Sequence, residues 1–174
     1  MGLVDRKFLY PTLTEAMRHR FIGLLPCGRL KRDTPIAARR LYIGQLFRKQ
    51  MEWIERNCSI WYIISAKYGV VLPEQVIRPY NLQLTMIDHQ ARINWGCGVR
   101  GVLCQWHPHA CFLSVMGKTY HQAIFNDSKG PPIRVVDPFE TQPDNGNNGI
   151  GFRMWWVKAN PVLPEPHGLI VHQY

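Results

Sequence analysis

The chain has 174 residues, of which 46% are hydrophobic and 11% aromatic. This composition excludes a disordered chain, and the length suits one domain that folds without disulfide bonds. No stretch approaches the roughly 20 continuous apolar residues of a membrane-spanning helix. With 21 Lys and Arg against 12 Asp and Glu, the net charge of +9 predicts attraction to polyanions such as DNA. A basic surface with no binding role is the alternative.

Residues 1–20 are interpreted as an N-terminal extension, in which Thr12 and Glu15 have the spacing of a helix-capping box. Charges occur throughout the extension, and it lacks the apolar core and cleavage site of a signal peptide, so we expect a cytoplasmic protein. The five cysteines are scattered through core-like sequence, which favours reduced thiols over a disulfide framework. No obligate protein partner is expected.

The main domain is predicted to span residues 21–160, followed by a C-terminal tail at 161–174. Short apolar runs bounded by turn residues predict strands at 21–25, 60–64, 110–115 and 133–136, with a strand-like run at 169–171. Apolar periodicity predicts helices at 36–57, 85–105, 121–125 and 150–158. Thr34 and Pro35 would begin the first helix, and the glycines near residue 97 would interrupt the second. The alternation predicts an α/β three-layer sandwich with a central, mostly parallel sheet.

Loops with small and charged residues follow each of the four main predicted strands. In a parallel sheet the carboxyl ends of the strands share one edge, where ligands gather. Glycine exposes backbone N–H groups and the cations add charge, so these loops predict a site for a phosphate-bearing ligand. Ordinary strand-to-helix turns also need glycine, which is the structural alternative. The residues of these loops that we assign to substrate binding are Cys27, Gly28, Arg29, Ser65, Tyr68, Gly117, Lys118, Tyr120 and Asp137.

Two motifs, Ser-Ala-Lys-Tyr-Gly at residues 65–69 and Pro-Tyr-Asn at residues 79–81, carry a resemblance to a known group. Over residues 21–158 the chain resembles small bacterial and phage domains similar to YaaA proteins. It is more distantly similar to the uracil-DNA-glycosylase-like domain of archaeosine synthases. The resemblance implies a glycosylase-like α/β fold and a link to modified-base chemistry, because the wider group includes DNA glycosylases used against phages. In two departures from the family pattern, Asn81 replaces the usual Asp and Tyr68 replaces a common His.

The function that the resemblance implies is a DNA glycosylase of phage defence. It would hydrolyse the N-glycosidic bond of a modified base, for example a hydroxymethylated or glucosylated one, and leave an abasic site without any cofactor. Asn81 would position water, Tyr80 would stack on or shape the pocket, and Lys67 would hold phosphate or the departing base. Glu74 is the nearest alternative carboxylate, and Asp137 at the end of the fourth strand is another. A turn with a packed ring is the structural explanation of Tyr80 and Asn81.

Two other functions stay open. A non-catalytic DNA-binding protein of phage or stress biology would use the same basic face, including the basic segment 29–40. An enzyme of free nucleosides or nucleotides would act without a polymer. No GxxxxGK[ST] or GxGxxG motif supports nucleotide-triphosphate hydrolysis or dinucleotide binding.

Two cysteine-based sites are also possible. The spacings of five zinc-ligand residue types match no usual zinc pattern, so we expect ordinary thiols and loop histidines and no metal. These five residues are Cys97, Cys104, His107, His109 and Cys111. Cys27 lies beside Arg29 at a strand end, as a nucleophilic thiol could, but no His is adjacent in sequence.

Overall fold

The computed structural model describes residues 20–139, 149–163 and 170–174. Eight strands are present in these segments: β1 Phe21–Pro26, β2 Ile36–Ala37, β3 Ile60–Ser65, β4 Gly69–Val71, β5 Val76–Ile77, β6 Cys111–Ser114, β7 Arg134–Val136 and β8 Val171–Gln173. The helices are α1 Ala38–Leu41, α2 Gln45–Asn57, α3 His89–Trp106, α4 Lys118–His121 and α5 Ile150–Ala159. A 3₁₀ turn covers Leu84–Met86, and α4 continues as a π-helical turn, Gln122–Asn126.

The central sheet has six strands in the order β4-β3-β1-β6-β7-β8. Its four inner strands, β3, β1, β6 and β7, are parallel, whereas the edge strands β4 and β8 are antiparallel. Leu24 of β1 lies opposite Tyr62 of β3 and Ser114 of β6. The inner strands read as continuous apolar runs because both faces of the sheet are covered. The predicted mostly parallel sheet is therefore confirmed.

Helices cover both faces of this sheet. On one face, α2 and α5 pack through Trp53 and Trp156 against strand residues such as Leu25. On the other face, α3 and the π-helical turn pack through Leu103 and Ile124. The chain is thus an α/β protein with three layers, and its two hydrophobic clusters lie on either side of the sheet.

The prediction of a single helix over residues 36–57 is wrong. Ile36–Ala37 pairs antiparallel with Val76–Ile77, so the first residues of the predicted helix are a strand. After α1 the backbone of Tyr42 is extended, with φ −86° and ψ 119°, and it forms an isolated β-bridge with Lys31. Only after Gly44 does α2 begin. Pairing with distant strand segments has overridden the local helical pattern.

The predicted interruption near residue 97 is also wrong. Helix α3 runs unbroken and is capped by Asp88, whose side chain accepts a hydrogen bond from the Ala91 N–H at 2.8 Å. A Cβ atom at Gly96 would lie only 2.0 Å from the Ala123 carbonyl oxygen. This glycine therefore marks the close approach of α3 to the π-helical turn and not a break in the helix.

The edges of the sheet were only partly anticipated. β4 was not predicted as a strand, and the strand expected near residues 169–171 is β8 at Val171–Gln173, which pairs with β7. Part of the predicted tail is thus built into the sheet. The capping box of Thr12 and Glu15 lies outside the described residues. None of the helices in the described segments is long and apolar enough to cross a membrane.

The Gly96 contact gives a stability prediction. Gly96→Ala is expected to lower the free energy of unfolding by roughly 1–3 kcal/mol or more, because the added methyl group collides with backbone. The control is Gly98→Ala on the same helix, where no atom lies within 4 Å of the new Cβ. That change should raise stability by up to about 1 kcal/mol through helix propensity. Urea unfolding of both variants tests this, and equal stabilities would contradict it.

Candidate functional site

The candidate site lies at the switch point of the sheet. After β1 the chain adds β3 on one side and later β6 on the other, so the crevice between the carboxyl ends of β1 and β6 is where α/β proteins bind ligands. A cleft of about 220 Å³ lies there. It is lined by Cys27, Gly28, Arg29, Lys31, Leu82, Gln83, Leu84, Thr85, Gly117, Lys118, Thr119 and Tyr120.

A group of side chains with hydroxyl or thiol groups adjoins the cleft, and we call it the tyrosine cluster: Tyr42, Tyr80 and Tyr120 together with Cys27 and Ser65. Cys27 Sγ lies 3.1 Å from Tyr120 Oη. Tyr80 Oη lies 2.7 Å from Ser65 Oγ and 3.0 Å from Tyr42 Oη. Cys27 and Tyr120 also line the cleft, so the cluster forms part of its wall.

The hydrogen-bond directions in the cluster follow from Ser65. Its buried hydroxyl oxygen accepts hydrogen bonds from the backbone N–H groups of Lys67 at 3.2 Å and Tyr68 at 3.1 Å. Two acceptor sites are then used, and the Ser65 hydrogen is left to donate to Tyr80. Tyr80 must in turn direct its own hydrogen away from Ser65, towards the other members of the cluster.

Burial controls the charge of the cluster. It raises the pKa values of Tyr42, Tyr80 and Tyr120 well above the ordinary tyrosine range, and a negative charge on Cys27 would raise them further. These hydroxyls are therefore neutral donors near neutral pH. The pKa of Lys31 is lowered by burial, while the charge of Cys27 acts in the opposite direction.

Cations cover the open side of the cluster. The Lys31 ammonium lies 4.3 Å from the centre of the Tyr80 ring, and the Lys67 ammonium lies 5.2 Å from the Tyr68 ring and 6.0 Å from the Tyr80 ring. Tyr68 meets Tyr80 edge-on, with ring centres 5.4 Å apart. Because Lys31 lies over the Tyr80 ring, that face is occupied, and the proposed stacking of Tyr80 on a base gains no support.

The model of the family described as "Family of unknown function (DUF6884)" matches residues 22–158. The chain belongs to this family. No match is found among curated proteins or among solved structures. The matched range of DUF6884 contains the cleft, the tyrosine cluster and every residue predicted for the site.

The structure brings together most of the predicted site residues within this DUF6884 domain. Six of them line the cleft: Cys27, Gly28, Arg29, Gly117, Lys118 and Tyr120. Ser65 and Tyr80 belong to the cluster behind it, with Lys67 and Tyr68 against Tyr80. Ser65 is fully buried, so it can act on a ligand only through Tyr80. The predicted convergence of the β1, β3 and β6 ends is confirmed as geometry.

The other predicted residues lie outside the cluster. Glu74 pairs with Arg39 at 2.8 Å and is mostly exposed, so its contacts give a catalytic role no support. Asn81 is exposed and makes no hydrogen bond within the described segments, although it directly precedes the cleft residue Leu82. Their catalytic roles stay predictions.

Asp137 lines a second, larger cavity of about 1150 Å³. Its carboxylate accepts a hydrogen bond from the Phe139 N–H at 2.8 Å and lies 4.0 Å from His121 Nδ1. The cavity shares Gly117 and Lys118 with the cleft. Asp137 is therefore a neighbour of the cleft and not part of its wall.

The possible zinc ligands do not converge. The described residues contain no group of three or more His, Cys, Asp or Glu side chains placed to hold a metal ion. Instead, His107 Nε2 bonds the Tyr62 hydroxyl at 2.7 Å, and Cys97 Sγ accepts a hydrogen bond from the Lys129 N–H at 3.3 Å.

Among the residues that were not predicted for the site, Lys31, Tyr42 and Trp95 belong to the tyrosine cluster or contact it. Lys31 had a sequence signal, since it lies in the basic loop after β1. Tyr42 had none, because it fell inside an incorrectly predicted helix. Trp95 lies within the helix predicted at 85–105; its indole N–H donates to the Ser65 carbonyl at 3.3 Å, and its ring contacts Tyr120 edge-on.

The neutral tyrosines predict an alkaline loss of stability. Unfolded tyrosines lose their protons near pH 10, whereas the three cluster tyrosines keep theirs, so the free energy of unfolding should fall above about pH 10. The slope should be up to about 1.4 kcal/mol per pH unit for each such tyrosine. Urea unfolding across this pH range tests it. Tyr80→Phe should reduce the slope, and a wild-type stability that is flat above about pH 10 would contradict the argument.

Proposed function

We propose that this protein is a DNA glycosylase that hydrolyses the N-glycosidic bond of a modified base, hydroxymethylated or glucosylated, and leaves an abasic site in phage defence. The observation that carries the proposal is the cleft at the switch point. Its described wall combines three cations, Arg29, Lys31 and Lys118, with the thiol of Cys27 and the hydroxyl of Tyr120. Cations suit the phosphates of a nucleotide, and neutral donors suit the polar edge of a base.

The fold is compatible with this chemistry. The six-stranded sheet with helices on both faces is the coarse architecture expected of a glycosylase-like domain, and the proposal includes a uracil-DNA-glycosylase-like fold related to YaaA proteins. The cleft, at about 220 Å³, is smaller than the usual pocket for a drug-sized ligand, which favours a single flipped base as the occupant. Base flipping would cost a few kcal/mol, which contacts in the cleft would offset.

The roles follow from position. Arg29 and Lys118, both exposed, would bind the phosphates on either side of the flipped nucleotide. Asn81, at the start of the segment that forms the opposite wall, would orient the attacking water. The cleavage develops positive charge on the sugar, which a nearby carboxylate stabilises. In this proposal the stabilising negative charge comes from the carboxylate of Asp137 in the adjoining cavity, and not from Glu74.

A non-catalytic DNA-binding protein is the second candidate. It is favoured by one specific observation: none of the described residues that line the cleft is a carboxylate. Such a protein would bind DNA through the same cations but release no base. An enzyme of free nucleosides or nucleotides would differ from both by a weak dependence on salt.

The deciding experiment is incubation of the purified protein with matched DNAs that carry unmodified, hydroxymethylated or glucosylated cytosine. Released base is measured by mass spectrometry and abasic sites by strand cleavage. Base release from one modified DNA, reduced in Asn81→Ala, supports the proposal. Gln105→Ala, an exposed change at the end of α3, is the control and should act as wild type. Tight DNA binding without base release from any substrate would favour the second candidate.

The cationic rim also predicts the salt dependence of DNA binding. Arg29→Gln and Lys118→Gln should each reduce the slope of log K against log salt concentration by about one unit, because each removes one phosphate contact. Lys158→Gln in the last turn of α5 serves as the control, since Lys158 is exposed but does not line the cleft. Fluorescence anisotropy at several salt concentrations measures the slopes. Unchanged slopes in both rim variants would exclude this surface from DNA binding.

A further inference from the structure

Among the described residues that line the cleft, Cys27 carries the one thiol. A thiol is ordinarily a stronger acid than a phenol, and burial moves the pKa values of Tyr80 and Tyr120 further from neutrality. Cys27 is only half-buried and lines the cleft together with Tyr120. The Cys27 thiol can therefore be reached by a ligand in the cleft.

The groups that face the Cys27 sulfur suit the loss of that proton. The Tyr120 hydroxyl lies at 3.1 Å, and the Tyr80 hydroxyl also interacts with the sulfur. The Lys31 ammonium lies over the Tyr80 ring, and Tyr42 completes the buried side. Hydroxyl hydrogens and an ammonium stabilise a thiolate, and the cleft-lining residues in the described segments include no carboxylate to oppose it.

Ser65 fixes the direction in which the Tyr80 hydroxyl donates its hydrogen. Since its oxygen accepts from two backbone N–H groups, its own hydrogen occupies one acceptor site of Tyr80. The Tyr80 hydrogen is thereby available for Tyr42 or for the sulfur. Ser65 and Tyr80 are positioning residues in this scheme, because neither lines the cleft.

We propose that Cys27 is the general acid of the cleft and protonates the departing base, an inference that rests on the proposed glycosylase function. The electron pair of the broken C1′–N bond passes to the base nitrogen, and the base takes the thiol proton at a ring nitrogen or carbonyl oxygen. Water adds its oxygen to C1′. The proton that this water loses returns through solvent to the thiolate, so one water is consumed and the thiol is regenerated.

This role defines a class of substrate. A general acid matters most for a base that leaves poorly as an anion, such as a cytosine with an electron-donating or neutral substituent. It matters little for a base with an electron-withdrawing substituent, which leaves without protonation. The size of the effect of Cys27 should therefore depend on the leaving base.

The test compares Cys27→Ala and Cys27→Ser with wild type on two duplexes, one with 5-hydroxymethylcytosine and one with 5-formylcytosine. On the first DNA, the single-turnover rate of base release should fall about 10²- to 10⁴-fold, the usual contribution of a general acid. On the second, the loss should be much smaller, since the formyl group withdraws electrons. The Kd for both DNAs should change much less than the rate on the first DNA, because Cys27 is one of several residues that line the cleft. Cys97→Ala, outside the cleft, is the control and should keep the wild-type rate.

A second measurement needs no base release. Alkylation of Cys27 by iodoacetamide at neutral pH, followed peptide by peptide in a mass spectrometer, reports how well the wall stabilises the thiolate. Tyr120→Phe should slow alkylation of Cys27 and leave that of Cys97 unchanged. Ser65→Ala should slow it less and should also shift the pH profile of base release. An unchanged alkylation rate in Tyr120→Phe would contradict the role of the donors.

The outcomes separate this inference from the proposed function. No base release by the wild-type protein from either of these DNAs, or from the glucosylated DNA of the deciding experiment, overturns both. Base release by Cys27→Ala at the wild-type rate overturns the general acid and leaves the glycosylase standing. An equal loss of rate on both DNAs also overturns the general acid, because it indicates a purely structural role for the side chain.

Discussion

The candidate site depends on the close packing of α3 against the π-helical turn that follows α4. The carbonyl of Ala123 lies where a side chain at residue 96 would begin, so the two segments can meet only because Gly96 has none. The contact places Trp95 against the ring of Tyr120 and its indole N–H on the Ser65 carbonyl. The contact at Gly96 thus connects α3 to two members of the cluster, Tyr120 and Ser65. A π-helical turn is rare and often marks a functional site, which suits its position here.

Polar groups are kept inside this site without charge. Five side chains with ionisable or hydroxyl groups meet at the end of the sheet, and their mutual hydrogen bonds replace those they would make with water. A buried charge would be costly, and burial keeps the tyrosines neutral. The positive charge needed for a polyanion lies outside, on the exposed side chains of Arg29 and Lys118. The charged side chains that would attract a polyanion are therefore separate from the neutral hydroxyl groups of the cluster.

The parallel sheet and the convergence of its strand ends were predictable, because apolar runs ending in Cys27, Ser65 and Gly117 carry strong local signals. What the sequence could not supply was long-range pairing. Tyr42 left its predicted helix because the backbone pairs with Lys31, and β2 formed because Ile77 offers a partner strand. The role of Gly96 was likewise not predictable from the sequence, since glycine occurs both where a helix is interrupted and where a helix packs closely against another segment. Contacts of this kind depend on the assembled core and not on neighbouring residues.

The two edges of the sheet have a consequence for handling the protein. β4 and β8, each three residues long, cover the open hydrogen-bonding sides of β3 and β7. Short edge strands limit pairing between molecules. β8 is held by the Arg100 guanidinium, which donates to the Tyr174 carbonyl at 2.7 Å. β7 is as short as β8, but its Val135 and Val136 are fully buried in the intact fold, and a chain shortened at residue 160 would lose the strand that covers them. Such a fragment would contain the whole cleft and still be prone to self-association in solution.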